Sequence, residues 1–520
     1  MIDANAFRTI ADLARLNAHV QPGRIAFHFE GVALSYGALD QNSSRTANGL
    51  IQMAVAPGDR VAYLGKNSAN YFELLLGVAK AGAVMCPINW RLAPSELAWI
   101  LRDCEANVLF IGPEFADLAC AQHSLFANVR NIICSEGPAA GLPGYEEWRD
   151  ANCATDPQIN RGDDDAVLQM YTSGTTGWPK GAVLTNGSIL RTQLDHGRAA
   201  LQEWERWETD DVALVAMPCF HVGGTAYGIS VMRFGATGAV MREFEPLRVL
   251  DMIEQYGVSK IFLVPVAMQI IVNQPRAREI DFSRLRNISY GASPIPLDLL
   301  RTCIEVFKAG FVQMYGMTET SGTICVLPPE DHDPEGNPRM RSVGKPLRGV
   351  EMRIIDAAGS ALAPGEIGEI AIRTQAVMKE YWHLPDATAE TIDVNGWLRT
   401  GDAGYVDEDG YFYLHDRVKD MIISGGENVY PAEVENAIYG HPAVADVAVI
   451  GVPDPVWGEA VKACVVLHKG AEADAASIIG WAREHIAGYK SPKSVDFIQE
   501  MPRNPSGKIV RRKLRAAILG

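Results

Sequence analysis

The chain has 520 residues, 48% of them hydrophobic, and a formal net charge of -16. That is enough apolar length for more than one sizeable core, and the balance is too acidic for a nucleic-acid binder, which would carry a basic patch or domain. Nine cysteines are scattered without a CxxC pair, and the N-terminus "MIDANAFRTIADLARLNAHV" lacks a basic region followed by an apolar run; no disulfide framework, zinc site or integral membrane segment is expected, and the protein reads as cytoplasmic.

The first third mixes apolar helical segments such as "YFELLLGVAKAGAVM" with short β-rich runs, "RVAYLG" and "ANVLFI", which predicts an α/β fold. In "AVLQMYTSGTTG" a strand ends near Tyr171 and a glycine-rich loop leaves it. Helix-then-strand pairs recur in "DMIEQYGVS" before "KIFLVPV" and in "DLLRTCIEVFKAG" before "FVQMYG". From Val350 the strands shorten and are joined by Gly and Asp turns, as in "EMRIID", "GEIGEIAIRT" and "GYFYL". After the charged turn "HDRVKDMI" come a proline-opened helix "PAEVENAIYGH", strands "VADVAVIGV" and "KACVVLHKG", and a second helix "ADAASIIGWAREHIAGY". The expected architecture is a large N-terminal α/β domain of several subdomains over residues 1–418, followed by a small mobile α/β domain over 419–520.

The stretch "YTSGTTGWPKG" is the most informative in the chain. Backbone amides of a Gly-rich turn can converge on phosphate oxygens, with Thr172, Ser173, Thr175 and Thr176 adding hydroxyl donors around Gly174 and Gly177. Lys180 supplies a point charge. Pro179 before that lysine and Gly181 after it exclude the GK[ST]-then-helix ending of P-loop NTPases. A plain surface turn between two strands is the alternative for the short core of the motif.

Further motifs follow in order: "PCFHVGG", "YGMTET", "RTGDAGYVDEDGY", "DRVKDMIISGGENVYPAEVE" and "NPSGKI". Together with the loop they resemble the signatures of the adenylate-forming superfamily, which includes acyl-CoA synthetases, aryl-CoA ligases, amino-acid adenylation domains and beetle luciferases. The resemblance implies an ATP-dependent acid–CoA ligase: a carboxylate attacks the α-phosphorus of ATP, diphosphate leaves, and the thiol of coenzyme A then displaces AMP from the acyl-adenylate. Both steps build negative charge at their transition states, so cations and donors are required.

The same resemblance implies the residue roles. Glu319 is the expected Mg2+ carboxylate, with Thr175 also at the metal, since a small hard cation held by phosphates needs only one or two protein carboxylates. Thr318 would touch the α-phosphate. Tyr315, with Gln313, Met314 and Gly316, and the "YGASP" segment at Gly291, Ala292 and Ser293 would enclose the nucleotide base. Asp402 would accept from the ribose hydroxyls, and Arg417 would reach ribose or phosphate. Lys508 would bridge the substrate carboxylate and the α-phosphate, although six Lys or Arg and no acid in the last twenty residues also read as a basic solvent-facing tail. Lys419 is the expected hinge of a domain rotation, after which Ser424, Gly425, Gly426 and Glu427 would line the coenzyme A channel.

His221 in "FHVGG" is expected beside the acid. It lacks the fixed negative charge that would pair an α-ammonium, so an amino-acid substrate is disfavoured. The acyl pocket is expected among His221, Val222, Gly223, Tyr227, Val266, Tyr290 and Gly316, whose small and apolar surroundings suit a fatty-acyl or other apolar acid. Aryl and arylpropenoyl acids use such pockets too, and an adenylating enzyme with another acceptor is a third option. A noncatalytic adenylate-binding protein would have lost Glu319 or Lys508, and both are present. Partners are therefore a small carboxylic acid, ATP and CoA. Oligomeric state stays open, a homodimer included, because apolar interfaces and core strands look alike in sequence.

Overall fold

The computed structural model describes residues 6–519 except 122–125, 127–128, 173–177, 191–200, 294, 418–419, 425–426, 456 and 504–508; of residues 416, 417, 427, 428 and 519 it describes the backbone. Two large sheets carry the N-terminal part. A seven-stranded sheet runs, in spatial order, Glu380–Tyr381, Lys180–Thr185, Ala166–Thr172, Val84–Pro87, Arg60–Leu64, Val108–Ile111 and Asn131–Cys134. A nine-stranded sheet runs Lys345–Pro346, Gly322–Leu327, Gly310–Met317, Asn287–Gly291, Lys260–Leu263, Val212–Val215, Thr237–Val240, Ile25–Phe29 and Val32–Ser35. Inner strands such as Val84–Pro87 and Val108–Ile111 are buried at every residue, as expected of parallel strands covered on both faces.

The helix Ala69–Lys80 explains how the sheets pack. Ala69 and every residue from Tyr71 to Lys80 are buried, so this helix is sandwiched, not surface-lying, and its two buried charges are paired, Glu73 with Arg149 and Lys80 with Asp40. Its Phe72 stacks on Phe27 of the nine-stranded sheet at 4.6 Å, and the core around it draws Met85, Leu168 and Met170 from one sheet and Ala213, Val215 and Val240 from the other. The helix Val222–Arg233 crosses the same layer and carries Gly224, Thr225, Gly228 and Ile229 inward.

The short strands foreseen after Val350 form a four-stranded antiparallel sheet, Glu351–Ile355, Gly368–Arg373, Leu398–Val406 and Phe412–Arg417. The C-terminal unit has its own sheet, built on the long hairpin Val444–Asp454 and Gly458–Leu467, with helices Pro431–Tyr439 and Ala475–His485 around a separate core. A large N-terminal α/β part and a smaller C-terminal α/β unit are thus both present. No helix among the described residues is long and apolar enough to cross a membrane.

Tyr290, expected in the acyl pocket, is fully buried, because strand alternation turns it to the opposite face from Ser289 and Gly291. There its hydroxyl lies 3.0 Å from His332 Nε2 and 3.3 Å from Gln313 Oε1. His332 Nδ1 is 2.9 Å from the Pro328 carbonyl, which only an N–H can approach; Nε2 is therefore the acceptor and Tyr290 donates to it. Burial pushes the pKa of His332 down to about 4. The unfolded chain takes up this proton near pH 6.5 and the folded one only near pH 4, so stability contributed by neutral His332 is present at neutral pH and lost as pH falls through that window. We expect the loss to reach about 3 kcal/mol; urea unfolding at pH 7 and pH 4 should show a smaller difference for His332→Gln than for the unmodified chain.

Candidate active site

The glycine-rich loop closes an antiparallel hairpin: Ala166–Thr172 pairs with Lys180–Thr185, and Thr172 stands opposite Lys180. Ser173, Gly174, Thr175, Thr176 and Gly177 lie outside the described residues. The base of the hairpin is firmly anchored. Tyr171 donates to Asp103 Oδ2 at 2.5 Å, and Gln169 donates to Tyr171 at 3.0 Å. Burial pushes the Tyr171 hydroxyl far above its ordinary pKa, so it remains a donor. Arg60 holds Gln169 and lies flat over Trp382, 3.3 Å from its ring centre. Trp178, just past the loop, stacks on Trp99 at 5.3 Å.

The second sheet meets this hairpin through the turn Thr318–Thr320. Glu319 is 6% exposed, and its Oε1 accepts from Tyr381 at 2.7 Å and from Thr172 at 3.3 Å. Oε2 accepts no hydrogen bond from a described residue, and no group of three or more His, Cys, Asp or Glu that could hold a metal ion occurs among them. One carboxylate with a spare oxygen, flanked by hydroxyls, fits a Mg2+ that draws its other ligands from phosphate and water. Lys180 Nζ lies 4.9 Å from the Tyr381 ring centre, an attractive cation–π placement. Tyr381 therefore touches both the acidic and the basic member of the cluster, and the sequence reading missed it. Its signal was faint: two residues of edge strand, Glu380–Tyr381, laid against Val183 and Ala182.

The turn is presented by a tight hairpin. Gly310–Met317 pairs with Gly322–Leu327, with an irregularity between Tyr315 and Gly316. A Cβ on Gly316 would collide with the Gly322 carbonyl oxygen, so only glycine allows this closeness. Thr318 opens the turn. Tyr315 reaches the four-stranded sheet, donating to Asp402 Oδ2 at 2.6 Å. Asp402 stands opposite Arg417 in that sheet. Gly291 ends its strand beside Met314, Ala292 has a left-handed φ of 66°, and Ser293 follows half-buried. Gln313 turns its side chain to Tyr290, away from that face.

In the region expected to hold the acid, His221 stands at the N-terminus of the helix Val222–Arg233, with Phe220 4.5 Å away ring to ring. A Cβ added to Gly223 would sit 2.9 Å from the Phe262 ring, so the ring presses against bare backbone. One turn on, Tyr227 lies 6.2 Å from Phe262 and 5.9 Å from Trp207. Val222 lies across from Gly322, and Val266 packs partly buried in the helix Pro265–Val272. Phe262, Ser289 and Trp207 were not named from sequence; strand parity would have found the first two, since Phe262 and Ser289 are register partners on this face.

In the C-terminal unit, Ser424 is buried and pairs with Glu427 and Gly458. Gly425 and Gly426 lie outside the described residues, as do Lys419 and Lys508. Arg503 and Ile509 bridge the ends of 504–508. Gln269 of the helix Pro265–Val272 donates to the Tyr439 hydroxyl at 2.8 Å, linking the C-terminal unit to the acid side.

The model of AMP-binding enzymes matches residues 14–382, and that of the AMP-binding enzyme C-terminal domain matches 433–508. The chain is 42% identical to a feruloyl-CoA synthase of Amycolatopsis sp. over 499 residues, 96% of each chain. It is 40% identical to the fatty acid–[acyl-carrier-protein] ligase ScoC of Streptomyces coeruleorubidus over 514 residues, 99% of this chain and 97% of the relative. Among solved structures, the anthranilate CoA ligase AuaEII in complex with anthranoyl-AMP superposes with a TM-score of 0.89 at 27% identity, covering 99% of both chains. The chain belongs to the AMP-binding enzymes, the adenylate-forming superfamily, in its acid–thiol ligase branch.

Proposed function

We propose that this AMP-forming acid–thiol ligase takes an aryl or arylpropenoic acid and transfers it to coenzyme A. The observation that carries the reading is the wall of rigid rings on the acid side: Phe262 against Gly223, then Tyr227, then Trp207. Flat rings suit a planar acid, whose faces they stack on, better than a flexible alkyl chain. Similarity to a feruloyl-CoA synthase and to an anthranilate CoA ligase supports it, so the fatty-acyl expectation yields to its alternative. Similarity to ScoC keeps a fatty acid and a carrier protein as the competing pair.

In this reading Glu319, with Thr175, holds Mg2+, which when bound neutralises phosphate charge. The loop from Thr172 to Gly177 and Lys180 receive the departing phosphates, Thr318 faces the α-phosphate, and Tyr315 with Gly291, Ala292, Ser293 and Gly316 borders the adenine. Asp402, oriented by Tyr315, and Arg417 hold the ribose. Lys508 neutralises the carboxylate and α-phosphate as their bond forms. The C-terminal domain, 419–520, then turns about Lys419 so that Ser424 to Glu427 guide the thiol past His221 to the acyl carbon. The gap between the two matched family segments supports a boundary near 419.

The acid panel is the direct test. With ATP, Mg2+ and CoA, coumarate or benzoate should give AMP, diphosphate and thioester at a higher kcat/KM than hexadecanoate; the reverse order would reinstate the fatty-acyl substrate. Lys508→Ala should slow adenylation roughly 10²- to 10³-fold while sparing transfer from supplied acyl-adenylate to CoA, as read by single-turnover kinetics of each half-reaction. Tyr381→Phe should slow adenylation about tenfold, the scale of one hydrogen bond to a charged group, and raise the Mg2+ concentration at which ATP stabilises the protein thermally. Unchanged Mg2+ dependence would reduce Tyr381 to a packing role.

A further inference from the structure

The sheet face behind the acid continues below the ring wall. Lys260 and Asn287 are register partners, as are Phe262 and Ser289, and alternation along each strand turns all four side chains to the same face. The two rows lie roughly 7 Å apart along the strands. Descending from the reacting end, the wall runs from Gly223 and Phe262 through Tyr227 to Trp207, and Lys260 Nζ stands 5.3 Å from the Trp207 ring centre. Lys260 therefore stands at the Trp207 end of this row of rings.

Its surroundings are sparse for a buried cation. Lys260 is 4% exposed, and among the described residues it has no ion pair within 4.0 Å. Its one hydrogen bond there is a long 3.4 Å contact to the Trp204 carbonyl, an acceptor that Asn287 also uses at 3.2 Å. Asp211, the acid that acts most strongly on Lys260, is taken up by Ser259 at 2.5 Å and by Arg286. Burial pushes the ammonium down to about 8, with Asp211 and Glu208 opposing that shift and Arg286 adding to it. A buried charge is costly unless well paired. Adenylation and thiol transfer make no use of Lys260, and the Tyr227 hydroxyl above it has no hydrogen-bond partner among the described residues.

We propose that Lys260, with Asn287 beside it, is the distal anchor of the acid: it binds an oxygen on the far end of the substrate, the para-hydroxyl of an arylpropenoic acid. The substrate class rests on the aryl reading above; the role of Lys260 as a specificity residue does not. An acceptor oxygen at that position completes the hydrogen bonding of a buried ammonium, whereas an unsubstituted ring leaves it unpaired.

The test compares kcat/KM for 4-hydroxycinnamate and cinnamate in the unmodified enzyme, in Lys260→Met and in Lys260→Gln, which keeps a donor for Trp204. The unmodified enzyme should prefer the hydroxylated acid roughly 10- to 100-fold, the range of a hydrogen bond to a charged group. Both variants should lose that preference through KM, with turnover of cinnamate held within a few-fold. Absence of the preference, or an equal fall for both acids, overturns the proposal. Should aryl acids not react while alkanoic acids do, the aryl reading fails separately, and hexanoate against adipate puts the same question to Lys260: a preference for adipate lost in the variants sustains the anchor, and equal treatment overturns it.

Discussion

A buried carboxylate ties the two large sheets of this protein together beside the glycine-rich hairpin. Glu319 stands on a turn of the nine-stranded sheet, and its Oε1 accepts from Thr172 and Tyr381, both on the seven-stranded sheet. The Met378 backbone N–H repeats the tie by donating to the Glu319 carbonyl at 2.8 Å, and the Ser321 hydroxyl donates to the Ala376 carbonyl at 2.9 Å. A carboxylate is expensive to bury without donors, so the sheets cannot separate at this point without stranding it. The glycine-rich hairpin, the Lys180 ammonium and the Tyr315–Asp402 link to the third sheet are all held in relation to that junction. Phosphate chemistry needs such pre-set donors, because reorganising them during reaction would consume the stabilisation they provide.

Much of this was legible in the residues. Helix-then-strand pairs resolved as expected at Pro246–Tyr256 with Lys260–Leu263 and at Leu297–Phe307 with Gly310–Met317, since 3.6- and 2-residue periods differ clearly in such runs. The loop after Tyr171 leads into a second strand and not into a helix, as Pro179 and Gly181 required. Parity was harder to read. Tyr290 and Ser289 are neighbours in sequence, but adjacent strand residues face opposite ways, so Ser289 shares a face with Phe262 while Tyr290 turns to His332. Tyr381 and Trp207 escaped for a different reason. Each acts across long sequence separation, from a two-residue edge strand and from a loop, where no local period marks a side chain for a role.

The helix Pro265–Val272 joins the N-terminal part to the C-terminal unit. Pro265–Val272 carries Val266 beside the groove and Gln269 to Tyr439 of the C-terminal unit. The proposed turn of the C-terminal unit would break or remake that hydrogen bond, which is worth about 1 kcal/mol, a restraint and not a lock. The same economy holds at the proposed acid site. Phe262 lies against a glycine, and Tyr227 and Trp207 continue the wall with few rotatable bonds to fix on binding. Shape is then set by rings and polarity by the few groups placed among them.

Adenylation itself is tested most directly by the fate of carboxylate oxygen. With an acid labelled with 18O in its carboxylate, ATP, Mg2+ and CoA, attack on the α-phosphorus followed by thiol attack on the acyl carbon leaves one labelled oxygen on AMP. Mass spectrometry of the products should find AMP carrying one 18O, with diphosphate unlabelled. Label in inorganic phosphate, with ADP as the nucleotide product, would contradict an acyl-adenylate and replace it with an acyl phosphate.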